Sequence, residues 1–172
     1  MPHGETIVNA LYEQKELETQ LAFEFASQRS KRPYRVEFTD GDVTLNVEVD
    51  DFDRFGLLLR EVKLTCGRKH SGAEKRRRFS NQVSRLVNEV TYLSGHFELI
   101  EQDQAEMVAV LRTVPMRNGG ARFYEAELRS GGQVVLSHYD VKPNSSGRTR
   151  SDGNISMEAF RILMDHLTEL LK

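Results

Sequence analysis

Residues 34–49 read YRVEFTDGDVTLNVEV, two alternating stretches joined by Asp40-Gly41. Tyr34, Val36 and Phe38 fall on one side of an extended chain, and Arg35, Glu37 and Thr39 on the other. After the turn, Val43, Leu45, Val47 and Val49 alternate with Thr44, Asn46 and Glu48. Asp-Gly is a tight-turn signal, because both residues tolerate the backbone angles a short hairpin needs. The stretch therefore predicts an antiparallel hairpin with one apolar and one polar face, the pattern of a sheet packed on one side.

The reading extends in both directions from this hairpin. Upstream, Ile7, Ala10, Leu11, Leu17, Leu21 and Phe25 recur at spacings of three and four, which predicts a helix over 5–29. Ser30 to Pro33 ends it, since the residue before a proline disfavours helix. Downstream, DFDRFGLLLREVKLT (51–65) fits either a short helix or a turn followed by a strand from Gly56, and the strand is the expectation. CGRKHSG (66–72) reads as a loop. Ser71 with Glu74 forms a capping box. The helix it opens runs to about Leu93, with Phe79, Val83, Leu86, Val90 and Leu93 as its stripe, widened by Val87.

Four strands follow, at 97–101, 106–114, 121–129 and 133–141, with Ser94-Gly95, Asp103, Asn118-Gly119-Gly120 and Gly131-Gly132 between elements. Their short connections require antiparallel pairing. PNSSGRTRSDG (143–153) carries no large apolar anchor and reads as the most mobile internal loop, open to trypsin after Arg148 or Arg150. A closing helix is capped by Ser156, with Ile155 and Phe160 spaced as a hydrophobic staple. Phe160, Leu163, Met164, Leu167, Leu170 and Leu171 form its apolar face. The order α-βββ-α-ββββ-α is an α+β fold of antiparallel sheet covered by helices. A single domain over 1–172 is expected, with two lobes meeting near 66–73 as the alternative.

Composition narrows the function classes. The chain has 172 residues, 38% hydrophobic and 29% charged. It is too apolar for wholesale disorder and has no run of apolar residues long enough to span a bilayer. No membrane partner is expected. The N-terminus lacks the pattern of a secretory signal, and the single cysteine, Cys66, excludes an internal disulfide, so a cytoplasmic location is expected. The net charge of −2 draws the chain to no polyanion. One local anomaly stands out: Arg68, Lys69, Lys75, Arg76, Arg77 and Arg78 crowd one segment. They are candidates for phosphate or nucleic-acid contact through Arg68, Lys69, Arg76, Arg77 and Arg78. The alternative is a solvated helix start paired with the acidic first helix.

Catalytic and metal motifs are missing. No GxGxxG, GxxxxGK[ST], GxSxG or HExxH occurs. The five histidines are scattered, and Cys66 with His70 is at most half a zinc site. Asp50, Asp51 and Asp53 lack the twelfth-position glutamate of a calcium loop, where Val62 stands. No metal and no cofactor is implied. His96, His138, Tyr139 and Asp140 are sparse candidates for ligand contact, and alternation puts His138 and Asp140 on one strand face.

Residues 33–61 resemble the first motif of bacterial Sm-like RNA chaperones. Asp40-Gly41 matches the family's turn, and Phe52-Asp53-Arg54-Phe55 matches the turn leading to its aliphatic strand. Asn46 stands where that family has a bend-forming glycine, and only Lys69-His70 corresponds to its second motif. The resemblance implies RNA binding. The element order as a whole is similar to the secretion-chaperone-like fold, and this implies a small dimeric protein that binds partner proteins without catalysis. The leading expectation is thus a non-catalytic protein-binding or chaperone-like homodimer. RNA binding through residues 68–78 and a small ligand-binding protein or enzyme are the alternatives.

Overall fold

The computed structural model describes residues 3–25, 33–114, 116–117, 121–130, 132–143 and 147–172. Helix α1 spans His3–Phe25, and residues 26–29 of the expected helix lie outside the described residues. Strands β1 (Tyr34–Asp40) and β2 (Val43–Phe52) form the hairpin, with Asp40 opposite Val43 and Gly41 at φ +60°. The ambiguous stretch resolves as a turn and strand β3 (Gly56–Cys66). Asp53 Oδ1 accepts from the amides of Phe55 at 2.7 Å and Gly56 at 3.0 Å, which closes the turn. Leu57 and Leu59 are then buried while Leu58 faces out, as a strand requires.

Helix α2 (Gly72–Glu89) begins where the capping box places it, with Ser71 Oγ accepting from the Glu74 amide at 3.3 Å. It ends four residues before Leu93. Val90 leaves helical geometry at ψ 82°, and Val90 and Leu93 are buried from an extended segment instead. Tyr92 Oη meets His166 Nδ1 at 3.1 Å within that segment. Ser94 (φ 55°) and Gly95 (φ 128°) turn the chain into the next strand.

Strands β4 (Phe97–Asp103), β5 (Val108–Thr113), the two-residue β6 (Met116–Arg117), β7 (Ala121–Arg129) and β8 (Gln133–Val141) follow. The chain closes with β9 (Thr149–Ser151), β10 (Gly153–Ser156) and helix α3 (Met157–Leu171). Among the described residues ten strands make one antiparallel sheet, ordered β1-β2-β3-β8-β7-β5-β4, with β6 beside β7. Strands from before and after residues 66–73 meet where Glu61–Thr65 of β3 pair with Gln133–Ser137 of β8.

Beyond that joint the two strands part, and β9 and β10 fill the wedge. His138 of β8 pairs with Ser151, and Leu59 of β3 with Gly153. This corrects the reading of 143–153 as a loop: its second half is sheet, and Arg150 lies on a strand. Diverging strands leave main-chain groups that need partners, and a short polar segment supplies them without large side chains. Gly153 is specific to this place, because a Cβ there would lie 2.3 Å from Tyr124 Oη. Arg60 Nε donates to Asp152 Oδ1 at 3.0 Å beside it.

The core lies on the helix-facing side of the sheet. All six apolar residues of the α3 face are buried, Ile155 of the staple is buried with them, and Ser156 Oγ accepts from the Ala159 amide at 3.2 Å. Helix α1 packs on α3 through Ile7, Val8 and Leu11. Gly4 allows that approach, since a Cβ there would lie 2.2 Å from the Arg161 carbonyl oxygen. Leu17 of the expected α1 stripe departs from the reading, being 57% exposed, and the side chains of Leu21 and Phe25 lie outside what the structure describes.

Gly153→Ala must displace the Tyr124 ring from the core. The expected outcome is a loss of about 2 kcal/mol, read as a melting temperature lower by roughly 4–8 °C. Gly72→Ala, where a Cβ meets nothing within 4 Å, should leave the melting temperature unchanged or raise it.

Candidate functional site on the open sheet face

Alternation divides each strand between two environments. Tyr124, Ala126 and Leu128 of β7 join the core, so Phe123, Glu125 and Glu127 face the side without helices. The register then sets Glu125 between Arg112 of β5 and Ser137 of β8. Arg112 Nε donates to Glu125 Oε2 at 2.7 Å, and Arg148 Nη1 donates to the same oxygen. The Glu125 side chain is only 7% exposed, whereas the two arginine side chains are 35% and 40% exposed. A buried carboxylate is tolerated here because it is paired twice.

Aromatic rings support the arginines. The Arg148 guanidinium lies 4.4 Å from the Tyr139 ring centroid, and that of Arg112 lies 5.2 Å from Phe123. Phe123 and Tyr139 stack at 5.9 Å across β7 and β8. Arg150, opposite Tyr139 on β9, donates through Nη2 to Ser137 Oγ at 2.6 Å and pairs with Glu61. Between these groups and Val135 lies a depression of about 410 Å³. Arg112, Arg148 and Arg150 share Glu125 and Glu61, and Arg129 pairs with Glu127 on the same wall, so four guanidiniums stand against three carboxylates. Val108 and Val110 of β5, half-buried on the same face, extend it as an apolar strip.

The candidate residues read from the sequence do not converge here. Arg68 pairs with Asp42 at 2.9 Å. Lys69, Arg76 and Arg77 are exposed. Arg78 turns inward, donating to the carbonyl oxygens of Leu171 at 2.6 Å and Lys172 at 3.0 Å, and so caps α3. The expected pairing of this cluster with α1 is replaced by Asp42 and by the α3 terminus. His96 is exposed in the turn before β4, 3.4 Å from Glu98.

His138 and Asp140 do share a face, but it is the helix-facing one. His138 is buried, with Nδ1 2.8 Å from Ser151 Oγ and its ring edge-on to Tyr124. Asp140 pairs with Arg122 at 3.6 Å. The depression lies on the other side of the sheet, so these groups and the Glu125 cluster are separated by the sheet itself. Among the described residues no group of three His, Cys, Asp or Glu side chains is placed to hold a metal ion.

Comparison with protein families, with curated proteins and with solved structures finds no match to this chain. Among the described residues no helix is long and apolar enough to cross a membrane.

Sequence reasoning missed Glu125 and Arg112. Their signal was cross-strand: an acid on the odd positions of β7 opposite an arginine on β5, visible only once the register is known.

Burial holds the His138 imidazole below the ordinary histidine value of 6.5, and the Arg122 charge acts in the same direction against Asp140 and Asp152. A lowered value in the folded state means the unfolded chain binds the proton first. The contribution to stability is therefore complete above about pH 6.5 and is lost as pH falls through the folded value. Thermal melts from about pH 8 to about pH 5 should show this loss, and His138→Gln should flatten it. Parallel curves for both proteins would show that burial of His138 is not coupled to protonation.

Proposed function

We propose that the protein is a non-catalytic protein-binding module whose open sheet face takes an extended segment of a partner, with an acidic side chain flanked by apolar ones. The observation that carries this reading is the Arg112–Glu125–Arg148 seat on a face that no described helix covers. Arginine and aromatic residues dominate binding hot spots, and here they are stacked together. The excess positive charge favours a carboxylate, and a half-exposed guanidinium offers it paired donors. Val108, Val110 and Val135 receive the apolar neighbours of that carboxylate, since alternate residues of an extended segment point to one side. The candidate catalytic groups support an enzyme reading less well, because His96, His138 and Asp140 lie in three different settings.

A random peptide library screened against the full chain tests this reading. Selected peptides should carry an acidic residue between aliphatic ones. Arg148→Ala and Tyr139→Ala should each weaken their binding by about tenfold or more, while Arg54→Gln, on the β2–β3 turn, should not. Peptides that bind both face variants as tightly as the parent would overturn the proposal. So would a selection that yields no peptide with millimolar or better affinity.

A further inference from the structure

A second depression, of about 360 Å³, opens where the β3–α2 loop meets the β7–β8 turn. The Cys66 amide donates to the Gly132 carbonyl oxygen at 2.8 Å, which holds the two loops together. Arg68, His70, Lys75 and Arg129 line it, and no lining residue is acidic. Arg68, His70 and Lys75 come from the β3–α2 loop and α2, and only Arg129, at the end of β7, borders the Glu125 face. Arg68 and Arg129 are paired with Asp42 and Glu127 but are 56% and 59% exposed, so each guanidinium has donors to spare. Lys75 is half-buried and has no acidic partner among the described residues. The N-terminus of the 18-residue α2 adds its positive end at the same place.

His70 supplies the independent observation. Its side chain is 8% exposed and lines the depression. Nδ1 lies 2.9 Å from Glu74 Oε1, so the proton is held there by the carboxylate. Nε2 is buried with no hydrogen-bond partner. Buried polar atoms are ordinarily satisfied, and with the proton on Nδ1 the open Nε2 is an acceptor that calls for a hydroxyl of a bound group.

We propose that this depression binds one phosphoryl group, either inorganic phosphate or the phosphate of a small monoester. Bound phosphate places oxygens against Lys75 and the free donors of Arg68 and Arg129. A P–OH of the bound group donates to His70 Nε2 while Nδ1–H stays on Glu74. A polyanion fits less well. The exposed Lys69, Arg76 and Arg77 are not among the lining residues, and the volume is at the small end of ligand sites.

The test is an NMR titration of the full chain at constant ionic strength with inorganic phosphate, ribose 5-phosphate, a single-stranded RNA and chloride. The expected result is saturable shifts at the His70 imidazole and the Ser130 and Gly132 amides with the two phosphates, absent with chloride. Lys75→Gln and Arg129→Gln should each weaken the phosphates about tenfold, whereas Arg76→Gln with Arg77→Gln should leave them unchanged. The amide spectrum away from the depression reports whether each variant is folded. Tighter binding of ribose 5-phosphate identifies a monoester as the ligand, and equal binding identifies the ion, and both support the site. Shifts reproduced by chloride overturn it. So does binding that tracks Arg76 and Arg77 instead of Lys75 and Arg129, or RNA binding with no response to either phosphate.

Discussion

Five rungs between β3 and β8 hold the two strand systems in one sheet. On the helix-facing side Val62, Leu64, Val134 and Leu136 are at most 1% exposed. Each removes a full aliphatic side chain from water, and together they join surfaces that are distant in sequence. Helix α3 is packed over β2, β3 and β10, and its first residue follows the last of β10 directly. The wedge segment therefore has two tasks. It satisfies the backbone where β3 and β8 part, and it aims α3 at the sheet. On the opposite face Arg150 of β9 pairs with Glu61 at the first rung of the joint, so the same segment ties both sides.

What could be read in advance follows from the range of the interactions. The Asp40-Gly41 hairpin, the Ser71–Glu74 box and the Ile155–Phe160 staple are each decided within a few residues, and all three are present. The β3–β8 pairing joins residues about seventy positions apart, and alternation alone says nothing of which strand neighbours which. The second half of the polar run 143–153 misled because side-chain burial was taken as the measure of order, while residues 144–146 lie outside the described residues. In β9 and β10 the main chain does the pairing, and small residues suit a space already filled by Tyr124. The α1 stripe misled in the opposite direction. Periodicity marks a helix face, but Leu17 shows that it does not mark what covers that face.

The site was legible in part for the same reason. Arg148, Arg150 and Tyr139 could be singled out as residue types, yet their common focus, Glu125, is defined only by register. His138 and Asp140 were correctly placed on one face. That face is the helix-facing one, where His138 becomes a buried, hydrogen-bonded group and Asp140, nearer the edge, pairs with the exposed Arg122 opposite it. The basic segment shows how composition overstates continuity. Six cations close in sequence separate in space into a cap for α3, a partner for Asp42, exposed side chains and one wall of a depression.

Arginines line both depressions although the chain carries a net charge of −2. Much of the negative charge sits elsewhere, as on the exposed Glu13, Glu16 and Glu18 of α1, where solvent and salt screen it. At the Glu125 seat the balance is local. A carboxylate this buried would be costly alone, and two guanidiniums on one of its oxygens compensate for that cost while fixing their own positions. The aromatic rings beneath Arg112 and Arg148 restrict them further. Side chains already held in place lose little conformational freedom when a ligand arrives, so most of the interaction energy at such a seat is available to binding. A pair of free surface arginines would carry the same charge and lose that advantage.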